Sequence, residues 1–247
     1  MEGDIALISE AIKSASRFLL RDYYELEQLQ NSNNNTINFS NKSGQKAMQT
    51  LSEKLSKYFK KVVFDKDEVK NLDIKDKAVL VETLEGFGNF TRAIPFFAIM
   101  VTLLRKKDDR VFADKSIISF PALGEFIHVQ KGQGALLERY ASSMQGAMKL
   151  RTSQTKDIEN AIGVFDRTCC SAMVKHIPNF RFYNSYTYSV LQFLSGKVDV
   201  LCIKNTPISV DGIRLFVEES GGRMEIKNGK IIASNISLFD KVIELID

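Results

Sequence analysis

The chain has 247 residues, 44% of them hydrophobic and 26% charged, with a formal net charge of +4. That length buries a sizeable core in one large domain or two packed halves, and the composition is that of a soluble globular protein. The mild charge gives no direct nucleic-acid signal, and three cysteines, two of them adjacent, form neither a disulfide framework nor a metal-ligand spacing.

The opening MEGDIALISEAIKSASRFLL carries acids where a secretory leader carries a basic segment. Its apolar positions Ile5, Ile8, Ile12, Ala15 and Leu19 alternate steps of three and four, which predicts an amphipathic helix. The Asn-rich run from Gln30 to Gly44 reads as a loop. A second helix follows, with Ala47, Leu51, Leu55 and Tyr58 on one face and Lys54, Lys57, Lys60 and Lys61 as solvated charge. KVVFD is a short strand ending in Asp65, KDEVKNLDIKDK a charged loop, and AVLVE a buried strand.

From Ala93 to Gly134 the patterns IPFFAIMVTLL, KSIISF and EFIHVQ are separated by RKKDDR and PALG, which predicts antiparallel strands. KGQGA, Lys131 to Ala135, closes that series. The longest apolar stretch, Ala93 to Leu104, has 12 residues, whereas a membrane span needs roughly 20. No membrane association and a cytoplasmic location are the expectation. In the second half, AIGVF and KVDVLCI read as strands, and TCCSAMVKHI, YNSYTYSVLQFLSG and SVDGIRLFVEESGG as helices. A hairpin turns at the Asn-Gly of KNGK, and a last helix, SLFDKVIELI, takes Ser237 as its N-cap. Alternating strands and helices imply a layered α/β half.

Several chemistries find no residues here. There is no Gly-x-Ser-x-Gly elbow, no Walker-type loop and no dinucleotide fingerprint. His128, inside a strand pattern, and His176, at a helix end, read as structural. What remains is carboxylate chemistry in VETLEGFGNFTRAIPFF, where Glu82 and Glu85 stand three apart before a Gly86-Phe87-Gly88 corner. Acids so placed can converge on Mg²⁺ through oxygen ligands, and the free N–H groups of a helix starting at the corner can hold a phosphate. The same pattern also describes a solvated strand end.

Read along its whole length, the chain resembles the inositol monophosphatase family, including the bacterial SuhB-like suppressor proteins. ETLEGFGNF lies over the family's Asp-Pro-Ile/Leu-Asp-Gly-Thr-x-Asn-Phe signature, with Leu84, Gly86, Asn89 and Phe90 kept and Pro95-Phe96 placed as in the family. KGQGA resembles its Gly-x-Gly-Ala strand end. Arg181 and NSYTYSVLQFLSGKVDV resemble its Arg-x-x-Gly-Ser-Ala-Ala helix and the strand after it, and SVDGIRLFVEESGG its final signature. The resemblance implies an α/β (α+β) fold, a layered αβαβα sandwich, with an N-terminal α+β half over 1–145 and a C-terminal α/β half over 146–247. It also implies a homodimer, Mg²⁺ as cofactor and, from bacterial members, the transcription machinery (RNA polymerase and its factors) as a partner.

The positions that carry chemistry in the family have changed. By resemblance Asp65, Glu82 and Glu85 stand at metal-ligand places, each altered by one methylene, and Gly86, Phe87 and Gly88 at the phosphate. Ser209 takes the place of the last metal Asp, with Ile208 for the preceding Trp and Asp211 two residues on. Phe87 replaces the Thr that positions water, and Gly44 an assisting acid. A metal site tolerates ligand errors of about 0.2 Å, while one methylene moves a carboxylate on the order of 1 Å. Two residues along a helix turn Asp211 through about 200°, away from the place of Ser209. Two readings follow: an impaired relative kept as a binding or regulatory dimer, and an active Mg²⁺-dependent phosphomonoesterase acting on inositol monophosphate or a similar small phosphate.

Overall fold

The computed structural model describes residues 3–30, 35–70, 77–107, 110–140, 146–169, 173–205 and 209–245. Two long helices open the chain, α1 (Gly3–Leu29) and α2 (Thr36–Leu55). The apolar stripe of α1 is buried as its spacing requires, with Ile5, Ile8, Ile12, Ala15 and Leu19 all inside. Helix α2 starts far earlier than the expected loop over Gln30 to Gly44 allows. Asn35 accepts a hydrogen bond from the Asn38 N–H at 3.0 Å and caps it. The hydroxyls of Ser40 and Ser43 donate back to the carbonyls of Thr36 and Phe39, so these polar residues are buried without loss. Tyr58 lies past the helix end and is 56% exposed, and Phe59 takes the buried place expected of it.

A seven-stranded sheet follows in simple order: β1 (Lys61–Val63), β2 (Lys77–Glu85), β3 (Ala98–Lys107), β4 (Arg110–Phe120), β5 (Glu125–Gln130), β6 (Gly134–Arg139) and β7 (Met148–Lys149). All neighbours are antiparallel except β1 and β2. Strand β1 stops before Asp65, and part of the expected charged loop forms a short helix, α3 (Lys66–Lys70). The remainder, residues 71–76, lies outside the described residues. Residues of RKKDDR expected as a separator extend β3 and β4 instead, and Ile94 to Phe97 precede the strand. Between β2 and β3 sits a single helical turn, α4 (Phe87–Phe90).

The second sheet runs β11-β12-β10-β8-β9, with β8 (Ile162–Phe165), β9 (Asn179–Arg181), β10 (Val200–Lys204), β11 (Gly222–Lys227) and β12 (Lys230–Asn235). Between its strands run α5 (Tyr186–Leu194) and α6 (Val210–Glu219), and α7 (Phe239–Glu244) closes the described chain. The β11–β12 turn holds Asn228 and Gly229 at φ 52° and 71°, the left-handed pair that a two-residue hairpin needs. Leu238, not Ser237, occupies the α7 N-cap position, and the Asn235 side chain accepts from the Leu238 N–H. The expected helix Thr168 to Ile177 falls partly on residues 170–172, outside the described set, and Val174 to His176 form a turn.

Period-two alternation divides the strands between three larger cores and a small one of Val63, Ala78, Leu80 and Leu104. Val79, Val81, Ile99, Val101 and Ile117 pack beneath α1 and α2. Met100, Ile118, Ile127 and Val129 face the other way, against α5, α6 and the inner face of the second sheet. The outer face of that sheet, with Val200, Cys202 and Ile232, is covered by Leu238 and Val242. This is the layered αβαβα order. Among the described residues no helix is long and apolar enough to cross a membrane.

Candidate functional site

Strand β2 delivers Glu82 and Glu85 to the side of α5, 100 residues further along the chain. Glu85 is only 7% exposed. Its Oε2 accepts from the Ser185 hydroxyl at 2.6 Å, from the Thr187 hydroxyl, and from the Thr187 N–H at 3.4 Å. Its Oε1 accepts from the Tyr186 N–H at 3.0 Å. The Glu85 carboxylate thus caps the first turn of α5, where backbone N–H groups have no partner inside the helix. Burial pushes its pKa up to about 7, while hydrogen bonds from Ser185, Thr187 and the Gly86 N–H pull the other way. The Tyr186 hydroxyl donates to Oε2 of Glu82. Both acids therefore engage the one segment from Ser185 to Thr187.

The corner after Glu85 is built to bring this about. Gly86 has φ 76°, and a β-carbon there would lie 2.4 Å from the Phe96 carbonyl oxygen, so only glycine fits. Asn89 is buried, and its Nδ2 donates to the carbonyls of Phe96 and Tyr183 at 2.9 Å and of Asn184 at 3.2 Å. Phe96 stacks on Tyr188 with ring centroids 4.1 Å apart. Phe87 opens the single turn α4 and is partly buried; Gly88 lies against Asn184. The whole corner docks on the N-terminus of α5.

The other expected site residues lie elsewhere. Asp65 is exposed, and its Oδ1 accepts from the Asp67 N–H at 2.8 Å, at the start of α3. Ser209 is 3% exposed and donates to the Thr102 hydroxyl at 2.7 Å, which meets the Ser116 hydroxyl at 2.8 Å. Ser209 and Asp211 line a cavity of about 240 Å³ together with Lys66. Glu85 and Tyr186 line a different one, of about 250 Å³, with Asp166, Arg167 and Lys204. Gly44 faces Leu84, with 3.6 Å between its would-be β-carbon and Cδ2. Ile208 is outside the described residues. His128 pairs with Glu138 at 3.0 Å inside the large sheet, a structural contact.

These residues do not fit a bound Mg²⁺ as they stand. Among the described residues no three of His, Cys, Asp and Glu converge as a cation site. A carboxylate offers about four lone-pair sites, and those of Glu85 already face donors of its own chain. Asp166, the acid of the neighbouring cavity, is likewise taken: Thr168 N–H, Thr168 hydroxyl and Cys169 N–H reach one oxygen, and Lys204 N–H the other. Burial raises the Asp166 pKa, but these bonds outweigh it and hold it below the ordinary value. Tyr186 and Thr187 escaped the sequence reading. By resemblance they stand over the Ala-Ala of the Arg-x-x-Gly-Ser-Ala-Ala motif, with two hydroxyl donors where the motif has two small apolar side chains.

The layered double-sheet fold is that of the inositol monophosphatases and SuhB proteins. The extragenic suppressor protein SuhB of Bartonella henselae superimposes with a TM-score of 0.77 at 20% identity, covering 99% of each chain. An inositol monophosphatase from Anabaena does so at 0.74 and 15% identity, covering 97% of this chain and 93% of that one. In sequence, an inositol-1-monophosphatase of Caulobacter vibrioides is 28% identical over 95% of this chain and 97% of its own length. No family model matches the chain. Fold and sequence agree over nearly the full length of the chain and support its membership of the inositol monophosphatase family.

Proposed function

We propose that this family member is catalytically impaired and works as a binding or regulatory homodimer. The observation that carries this reading is the Glu85 carboxylate, buried and surrounded by the donors of Ser185, Tyr186 and Thr187. A cation would have to displace hydrogen bonds that also cap α5. Mg²⁺ demands near-ideal octahedral geometry and gives up its water reluctantly, so it competes poorly for an acid already engaged. The halves 1–145 and 146–247 then play distinct parts, the first supplying the acids and the second the donors. By resemblance alone, the transcription machinery is the partner class to test.

The Caulobacter relative, named for inositol-1-monophosphatase activity, favours a second reading. In it the chain is an active Mg²⁺-dependent phosphomonoesterase for inositol monophosphate or a similar small phosphate ester. An assay with excess Mg²⁺ over a panel of small phosphate esters separates the two. The impaired reading expects turnover at background; rates near 1 s⁻¹ or above, roughly the low end for enzymes, favour the second.

A further inference from the structure

We infer that Tyr186 and Thr187 are the residues that withdraw the Glu82–Glu85 pair from divalent cations, by binding it from within the chain. The inference rests on the impaired reading and gives it an internal cause. The Tyr186 hydroxyl engages Oε2 of Glu82, and the Thr187 hydroxyl engages Oε2 of Glu85. Neither contact is needed to start α5. Ser185 is its N-cap, accepting from the Tyr188 N–H at 3.2 Å, and the Tyr186 N–H reaches Oε1 of Glu85 whatever the side chain at 186. Two small residues at 186 and 187 would leave the Ser185 cap and the backbone donors in place and take one hydroxyl donor away from each acid. Tyr186 also adds bulk: its ring lines the cavity beside Glu85, and its hydroxyl end sits against Glu82. By resemblance, Ser209 at the place of a metal Asp and Tyr186–Thr187 at the place of two small residues are separate departures from the family pattern, and the second acts on the acids that remain.

The test compares Mn²⁺ binding to the full chain by isothermal titration calorimetry. Two double variants are used: Tyr186→Phe with Thr187→Val, which removes the hydroxyls at nearly constant volume, and Tyr186→Ala with Thr187→Ala. Both are expected to bind Mn²⁺ at least ten-fold more tightly than the parent, and Glu82→Gln in the same background is expected to abolish the gain. If the alanine pair does not fold, the Phe/Val pair decides alone. No gain in folded variants, or a gain that survives Glu82→Gln, overturns the inference. Turnover by the parent is measured separately: activity there overturns the impaired reading, whereas an inactive parent with no gain in the variants overturns only this step.

Discussion

The hydroxyl of Ser185 lies 2.6 Å from Oε2 of Glu85, a residue 100 positions earlier in the chain. With the neighbouring donors, that contact joins the end of β2 to the start of α5. An acid at the end of a sheet strand holds a helix that packs between the two sheets.

Removing that acid strands several buried donors at once. Glu85→Ala is expected to cost about 2–4 kcal/mol, the range for leaving buried donors of a charged acceptor unpaired. Glu85→Gln is expected to cost less, because its amide oxygen still accepts while its NH₂ faces donors. Urea unfolding measures both. Losses below about 0.5 kcal/mol, as for an ordinary surface change, would show that the contact carries no weight.

The same carboxyl makes stability depend on pH. Glu85 has its pKa pushed from 4.5 to about 7, chiefly by burial. Because the folded value is the higher, the folded chain binds the proton more tightly. Its contribution is fully present below about 4.5 and is lost as pH rises through about 7. The stability of the parent should therefore fall relative to Glu85→Gln across that window and run parallel to it above. A difference between the two that stays constant with pH would contradict the assignment.

Gly86 separates backbone conformation from crowding. Gly86→Ala adds a β-carbon 2.4 Å from the Phe96 oxygen at φ 76°, while Gly132→Ala has φ 78° and nothing within 4 Å. The second should cost about 1–2 kcal/mol, the left-handed penalty alone, and the first clearly more. Equal melting temperatures for the two variants would mean the corner has room to move.

A homodimer is expected from the family resemblance. Sedimentation velocity at micromolar concentration should give a mass near twice 27.9 kDa. A single species at the monomer mass refutes it.

Much of the architecture was legible because it rests on local spacing. The buried stripe of α1, the apolar run of β2 and the Asn228-Gly229 turn follow from rules that reach only a few residues. The run from Gln30 to Gly44 misled because its serines look like loop residues, yet their hydroxyls bond back into α2. Ser237 misled for the opposite reason: a good capping residue stood one position from the cap, and Asn235 supplied the acceptor. The partners of Glu82 and Glu85 were beyond any local pattern, since they come from across the fold. The resemblance of Asn184-Ser185-Tyr186-Thr187 to the Gly-Ser-Ala-Ala of the family marks the segment but does not by itself pair it with the acids.

The most direct test of whether Glu82 and Glu85 serve as architecture or as ion ligands is the melting temperature with and without about 1 mM Mg²⁺. A working site with a dissociation constant near 10 µM would gain about 2.7 kcal/mol at that concentration. For a chain of this length that corresponds to roughly 5–11 °C. With both acids engaged by Ser185, Tyr186 and Thr187, the expected shift is below about 1 °C. A rise of several degrees, lost in Glu82→Gln, would contradict the account.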